Sequence, residues 1–248
     1  DEFGEIVRQE LEKHGVAVHT GESLMEIVGE DRATGVKTDK GEYSADLVIL
    51  ALGVKPATEL LKDSGAEFLK NGAIVVDSFS RTTIPDVYSG GDCASIYHKI
   101  KKQNVYLPLG TNANKQGRII ADHINGIDST YKKTMGTAIL KCFDMTVACT
   151  GINEKAAQDA GLQFEKSFTF SASHASYYPG AVSMAIKLIF EKISGRILGA
   201  QITGYDGVDK RIDVIATAIR AGMTVYDLTE LELAYAPPFS SAKDPVNM

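Results

Sequence analysis

Residues 82–95 read TTIPDVYSGGDCAS, and the reading of this stretch decides the rest. Upstream lies an apolar run, residues 72–77 (GAIVVD), so the segment is expected to pass as strand, turn and strand into Gly90-Gly91-Asp92. Paired glycines at a strand end let another backbone or a ligand approach closely. Asp92 then sits at the carboxyl end of a strand, where open α/β sheets bind ligands. An ionised carboxylate there accepts hydrogen bonds from a polyhydroxylated ligand, at roughly 1.5–3 kcal/mol each. The same residue would serve equally well as a cap for the following turn.

Outward from this stretch the chain divides by pattern. Residues 2–14 form an amphipathic helix with Phe3, Ile6, Val7 and Leu11 on one face, ending at Gly15. Short strands are expected at residues 16–20 (VAVHT), 23–30 and 33–39, and a turn at Gly41 leads to residues 45–52 (ADLVILAL). That near-continuous apolar run reads as a strand buried on both faces, the habit of parallel sheets. A short helix follows at Glu59–Lys62. Residues 107–127 read as a loop entering a helix, with Ile119, Ile120, His123 and Ile124 at helical spacing.

From about Thr134 the pattern changes. Residues 136–151 and 185–204 are expected as long strands, the second broken by a turn at Ser194–Gly195, with a short helix at residues 153–161 between them. Val208, Ile212, Ile215 and Ile219 form one helical stripe that stops at Gly222, and Thr224 with Asp227 signals one more capped helix. The fold class is therefore α/β followed by α+β. Both termini look cut, the first helix starting abruptly and the last residues lacking a finishing element.

The chain has 248 residues, is 44% hydrophobic and carries a net charge of −6, which disfavours nucleic acid and an anionic membrane surface as partners. No apolar run is long enough to span a bilayer and no signal peptide opens the sequence. Three cysteines leave one unpaired, which fits a reducing, cytoplasmic setting. Cys142 and Cys149 read as core residues and Cys93 as packed. The five histidines show no ligand spacing, so no metal is expected.

Two loops carry unusual chemistry. Residues 235–247 (YAPPFSSAKDPVN) hold a tyrosine, paired prolines and Lys243; residues 173–181 (SHASYYPGA) hold Tyr177 and Tyr178 in a Pro-Gly turn. A tyrosine hydroxyl can donate to a thiolate or a leaving sulfur, and a lysine suits a phosphate as a point charge. The bland alternatives are an interface aromatic for Tyr235, a surface lysine for Lys243 and a surface turn for the tyrosine pair.

The pattern T-x-x-P-x-V-Y-x-x-G-D, formed here by Thr82, Pro85, Val87, Tyr88, Gly91 and Asp92, resembles the second flavin-binding motif of the FAD-dependent pyridine nucleotide-disulfide oxidoreductases. Residues 47–56 (LVILALGVKP), with Gly53, resemble the end of that family's NAD(P)H domain, and the chain from Thr134 resembles its interface domain. The resemblance implies remnants of two doubly wound domains, NAD(P)H-binding (1–62) and FAD-binding (63–133), then an α+β dimerisation domain (134–248). It also implies the C-terminal half of a longer protein.

The closing loop lacks the family's His-Glu pair and resembles the single-cysteine branch, most closely the coenzyme A-disulfide and CoA-persulfide reductases. NADH oxidases and peroxidases of that branch are the alternative, and a non-catalytic dimerisation module is the alternative of another class. By this resemblance Thr82, Pro85, Gly91, Asp92, Leu109, Gly110, Thr111 and Gly53 contact cofactor. Tyr235 and Tyr177 act in the active site of the other subunit of a homodimer, while Lys243, Asn114 and Tyr178 contact CoA. NADH or NADPH is the co-substrate. The Gly-x-Gly-x-x-Gly loops and the redox cysteine that the chemistry needs are not among these residues, so the chain alone is expected to be inactive.

Overall fold

The computed structural model describes residues 2–248. Residues up to Glu10, together with Pro56–Met248, form one compact unit, and Leu11–Lys55 form another. The smaller holds an antiparallel three-stranded sheet in chain order: β1 (Leu24–Val28), β2 (Gly35–Thr38) and β3 (Glu42–Ser44). Tyr43 donates to Glu22 and lies beside His19, closing the sheet's rim.

Two expectations fail in this unit. Residues 16–20 are irregular, and so is the run 45–52, whose Leu47, Ile49, Leu50 and Leu52 are exposed. Its apolar content is that of an inner strand. A strand is defined by its ladder, and among the described residues no neighbour pairs with this one.

The larger unit is organised around a five-stranded antiparallel sheet, β6-β7-β10-β9-β8. Its strands are β6 (Ala138–Cys142), β7 (Met145–Gly151), β8 (Phe164–Ala172), β9 (Ser183–Glu191) and β10 (Ile197–Gly204). The expected single strand at 136–151 is thus a tight hairpin, turned at Phe143–Asp144 with Phe143 at φ 51°. The turn at Ser194–Gly195 stands as expected, Gly195 having φ 70°.

Helix α4 (Val208–Ala221) lays Val208, Ile212, Ile215 and Ile219 on Ile186, Ala200 and Ile202, and all seven are buried. The stripe read from the sequence is therefore the core-facing stripe. On the opposite side Ile189 and Leu198 pack with Ile152 and with Ala157 of α3 (Glu154–Asp159). Leu198 reaches that side because β10 carries an irregularity between Ile197 and Gly199, which interrupts the period-two alternation. Helix α5 (Val225–Thr229) is opened by the expected capping box of Thr224 and Asp227.

Helix α1 (Glu2–Lys13) buries Phe3 and Glu10. Tyr205 donates to the Glu10 carboxylate at 2.7 Å. Lys187, fully buried on β9, donates to Glu2 at 2.8 Å and Glu154 at 2.7 Å. Hydrogen bonding from Lys187 holds the Glu2 carboxyl down at about 2. A depressed carboxylate contributes stability above its ordinary range, and that contribution disappears as pH falls toward its folded value. Glu2 is about half exposed, so its share is under about 1 kcal/mol. Glu2→Gln is therefore expected to melt a few degrees below wild type at pH 7 and at the same temperature near pH 2. A gap that persists at low pH would show the carboxylate is not the source.

Residues 59–133 are less regular. The expected helix at Glu59–Lys62 is one 3-10 turn, Glu59–Leu61. The two strands expected around residues 72–92 are extended segments joined only by isolated bridges, Phe68–Ile74, Arg81–Tyr88 and a parallel Ile74–Ala94. Asp77 organises the bend between them, accepting from the amides of Phe79 and Arg81 and pairing with the Arg81 guanidinium at 2.7 Å. A small hairpin follows, β4 (Ile96–His98) and β5 (Gln103–Val105), then the expected helix α2 (Gly110–Ile124).

Candidate functional site

The two aromatic loops meet. The Tyr177 and Tyr235 hydroxyls lie 2.9 Å apart, although 58 residues separate them in sequence. Both side chains are exposed, at 73% and 48%, and Phe239 of the same closing loop is exposed beside a Pro-Pro turn. The hydrogen bond shared with Tyr235 raises the Tyr177 phenol above its ordinary range, because the neutral Tyr177 hydroxyl donates a bond that ionisation would remove.

Backbone contacts hold the loops together. The Ala175 amide donates to the carbonyls of Pro237 and Ser240 at 3.3 and 3.2 Å. Ser240 and Phe239 turn back on Ala236 by amide-to-carbonyl bonds. His174 is buried, bonds the Ser173 hydroxyl and the Pro179 carbonyl, and meets Tyr178 edge-on at 5.8 Å. Tyr178 thus packs on its own loop, whereas Tyr177 reaches the other loop. Lys243 is exposed, and its carbonyl accepts the Ser241 hydroxyl.

Beneath the loops lies a buried ion pair that sequence reasoning missed. Arg211 of α4 and Asp244 are 1% and 3% exposed at their side chains and 3.0 Å apart. Burial pushes the Asp244 carboxyl up, but the Ser240 hydroxyl, the Val246 amide and the Arg211 guanidinium together bring it below its ordinary value. The available signal was an arginine one residue before Ile212, at the margin of the apolar stripe of α4.

A second group of expected residues surrounds the Gly90-Gly91-Asp92 turn. Gln116, buried on α2, accepts from the Gly91 amide at 2.9 Å and donates to the Ser95 carbonyl at 3.1 Å. A Cβ on Gly90 would come within 3.2 Å of Ile120, and Gly91 has φ 64°, so strand end and helix approach as closely as their side chains allow. Asp92 is exposed inside the 3-10 turn Gly91–Cys93, whose N-cap is Gly90. Its backbone carbonyl accepts from the Tyr106 hydroxyl. Thr82 turns the preceding segment, its hydroxyl oxygen accepting from the Ile84 amide just before Pro85.

Leu109 begins α2 without a side-chain cap, and Leu109, Gly110 and Thr111 line an open cleft of about 730 Å³ shared with Met135, Thr137 and Asp213. Asn114, exposed on α2, lines a neighbouring cleft of about 360 Å³ with Arg118 and Arg220. Gly53, in the other unit, has φ 88° and open space where a side chain would stand. Cys142 is buried and Cys93 partly so, while Cys149, expected in the core, is exposed on β7. Its neighbours Ala148 and Thr150 take the inward positions instead. Among the described residues no three His, Cys, Asp or Glu side chains gather as a metal site. Among the described residues no helix is long and apolar enough to cross a membrane.

The sheet capped by α4 and the two loops it carries match a family model for the pyridine nucleotide-disulphide oxidoreductase dimerisation domain over residues 137–245. Residues 1–117 match the pyridine nucleotide-disulphide oxidoreductase model itself. The chain belongs to this family of oxidoreductases. Among curated relatives, it is 36% identical over 245 residues to the NAD(P)H coenzyme A polysulfide/persulfide reductase of Pyrococcus horikoshii, covering 99% of this chain and 55% of that protein. It is 31% identical over 249 residues to the coenzyme A disulfide reductase of Staphylococcus epidermidis, covering 100% of this chain and 56% of the relative. The NAD-dependent persulfide reductase structure from A. fulgidus superposes with a TM-score of 0.95 at 42% identity, covering 99% of this chain and 46% of that one. The chain spans about half the length of the curated relatives it matches.

Proposed function

We propose that the chain is part of an FAD-dependent, homodimeric reductase that uses NADH or NADPH to reduce coenzyme A disulfide or CoA persulfide. The observation that carries this reading is the 2.9 Å pair of exposed hydroxyls, Tyr177 and Tyr235, on two loops tied to one another. For the disulfide the balance is CoA–S–S–CoA + NAD(P)H + H⁺ → 2 CoA–SH + NAD(P)⁺. The reaction needs a proton for a leaving sulfur, and a phenol that already shares a hydrogen bond can give or hold one.

The domain boundaries follow the same reading: residues 1–62 from the NAD(P)H domain, 63–133 from the FAD domain and 134–248 for dimerisation. Thr82, Pro85, Gly91 and Asp92 fit the ribityl side of FAD. The glycine turn packs against α2, and the Asp92 carboxylate at its head is exposed and can accept from a ligand hydroxyl. Leu109, Gly110 and Thr111 fit the flavin ring, because the uncapped start of a 15-residue helix offers amides and a positive dipole end. Gly53, in the run that resembles the end of the NAD(P)H domain, is a further cofactor contact on this reading. Bound there, FAD would pass reducing equivalents from the nicotinamide toward sulfur. Tyr235 and Tyr177 orient and protonate the departing thiolate in the other subunit. Lys243, Asn114 and Tyr178 hold CoA, the lysine at a phosphate.

The test is an assay of the full-length protein with NADH or NADPH against CoA disulfide, CoA persulfide and oxygen, beside its visible spectrum. The expected result is a stoichiometric flavin band and CoA-dependent oxidation of the nicotinamide, with residues 1–248 alone inactive. Oxygen consumption indifferent to CoA would replace the reading with that of an oxidase. A flavin-free dimer would replace it with a dimerisation module.

A further inference from the structure

Below the tyrosine pair, Arg211 makes more contacts than packing requires. Its Nη2 donates to the Ser173 carbonyl at 2.8 Å, the Asp244 carboxylate at 3.0 Å and the Ser240 hydroxyl at 3.4 Å. Its Nη1 donates to the Gly207 carbonyl at 3.1 Å. Ser240 in turn donates to Asp244 at 2.6 Å, and the other Asp244 oxygen accepts from the Val246 amide at 3.0 Å. Ser173, Arg211, Ser240 and Asp244 are all almost fully buried.

The topology gives this cluster its meaning. Ser173 begins the loop that carries Tyr177, and Ser240 and Asp244 lie on the loop that carries Tyr235 and Lys243. Arg211 belongs to neither loop; it comes from α4, a helix set by four isoleucine and valine anchors in the core. One planar guanidinium therefore touches both tyrosine loops and refers them to a rigid element. A guanidinium has five donors in a fixed fork, and a lysine ammonium cannot reproduce that pattern. Backbone geometry makes room for it: Gly207 sits at φ 68°, and a Cβ there would stand 2.1 Å from the Arg211 guanidinium.

We propose that Arg211, with Asp244 and Ser240, is the positioning group that holds the Tyr177 and Tyr235 hydroxyls in register for the reaction. It touches no substrate and acts only through the two loops. The proposal rests on the reductase reading above for its kinetic consequence, but not for its structural one.

Two variants of the full-length protein test it, Arg211→Lys and the milder Ser240→Ala. The first readout is independent of activity: ¹³C-tyrosine NMR across a pH titration, with Tyr177→Phe and Tyr235→Phe assigning the signals. In wild type the Tyr177 phenol should ionise above its ordinary range, as its hydrogen bond with Tyr235 requires. In Arg211→Lys it should return to the ordinary range, and in Ser240→Ala it should move part of the way. The second readout is steady-state kinetics on folded, flavin-loaded enzyme. Arg211→Lys should lower kcat at least tenfold with KM for the nicotinamide changed less than twofold. Should Arg211→Lys fail to fold, Ser240→Ala carries both readouts alone. A Tyr177 phenol that stays raised in the variants would overturn the proposal, whether or not stability drops. A Tyr177 phenol returned to its ordinary range in variants of an enzyme that never reduces CoA disulfide or persulfide would instead overturn the reductase reading and leave the clamp standing.

Discussion

Tyr235→Phe in the full-length protein is expected to lower kcat for CoA disulfide reduction by about 10²-fold, the lower end of what a positioned proton donor contributes. The substitution removes one oxygen and keeps the ring, so the loop's packing beside Phe239 and the Pro237–Pro238 turn should survive. It leaves Tyr177 without the hydroxyl that lies 2.9 Å away. The Tyr177 phenol should then ionise closer to its ordinary value, since its raised position comes first from that hydrogen bond. Tyr177→Phe should cost less if Tyr235 is the immediate donor and Tyr177 only supports it. Stopped-flow reduction by NADH should remain fast in both variants, because that half-reaction does not need the leaving sulfur. A variant that reduces CoA disulfide at the wild-type rate would remove the tyrosine from the mechanism.

Gly199→Ala is expected to destabilise the chain by more than about 4 kcal/mol, in the exceptional tail of single substitutions. A methyl group at this position would stand 1.9 Å from the Ile152 carbonyl oxygen and 2.7 Å from its nitrogen. Neither atom is the end of a flexible side chain that could swing away. Ile152 is fixed there by its N–H, which donates a hydrogen bond to the Leu198 carbonyl at 3.0 Å, and by burial in the cluster with Ile189 and Ala157. Gly151 is tight in the reciprocal sense, its missing Cβ facing the Leu198 carbonyl at 2.2 Å with φ 73°. Two backbones cross here with no side chain between them. Recovery of soluble, cooperatively unfolding Gly199→Ala protein with a wild-type melting temperature would contradict the geometry.

The sequence was most legible where a physical requirement leaves a local mark. The stripe of α4, the capping box at Thr224 and the glycine turn at Gly195 all did so, because burial, capping and positive φ each select residue types. The hairpin at Phe143–Asp144 left none. A phenylalanine at positive φ is uncommon and no glycine announces the turn. Strand β8 also escaped notice: among the described residues it is an edge strand paired with β9 alone, and Lys166 shares a face with Phe168 and Phe170, which breaks the apolar alternation that marks a strand. Residues 45–52 misled for the opposite reason. Composition reports the burial a segment is suited to, and pairing depends on neighbours that composition does not contain.

The two tyrosine loops were legible only through their likeness to known proteins, while the Arg211 clamp beneath them was not. A polar side chain near an apolar stripe ordinarily means a solvated margin. Only the three-dimensional structure shows Ser173, Ser240 and Asp244 converging on it from two distant loops.

The exposed run Leu47, Ile49, Leu50, Leu52 and Val54 bears on anyone who handles residues 1–248 by themselves. It is an aliphatic, uncharged segment whose backbone joins no ladder among the described residues, and its composition is the kind that seeds intermolecular β-stacking. Preparations of the isolated chain should form concentration-dependent aggregates, and one charged replacement in the run, such as Ile49→Lys, should restore a dispersed solution before any change to the dimerisation sheet does.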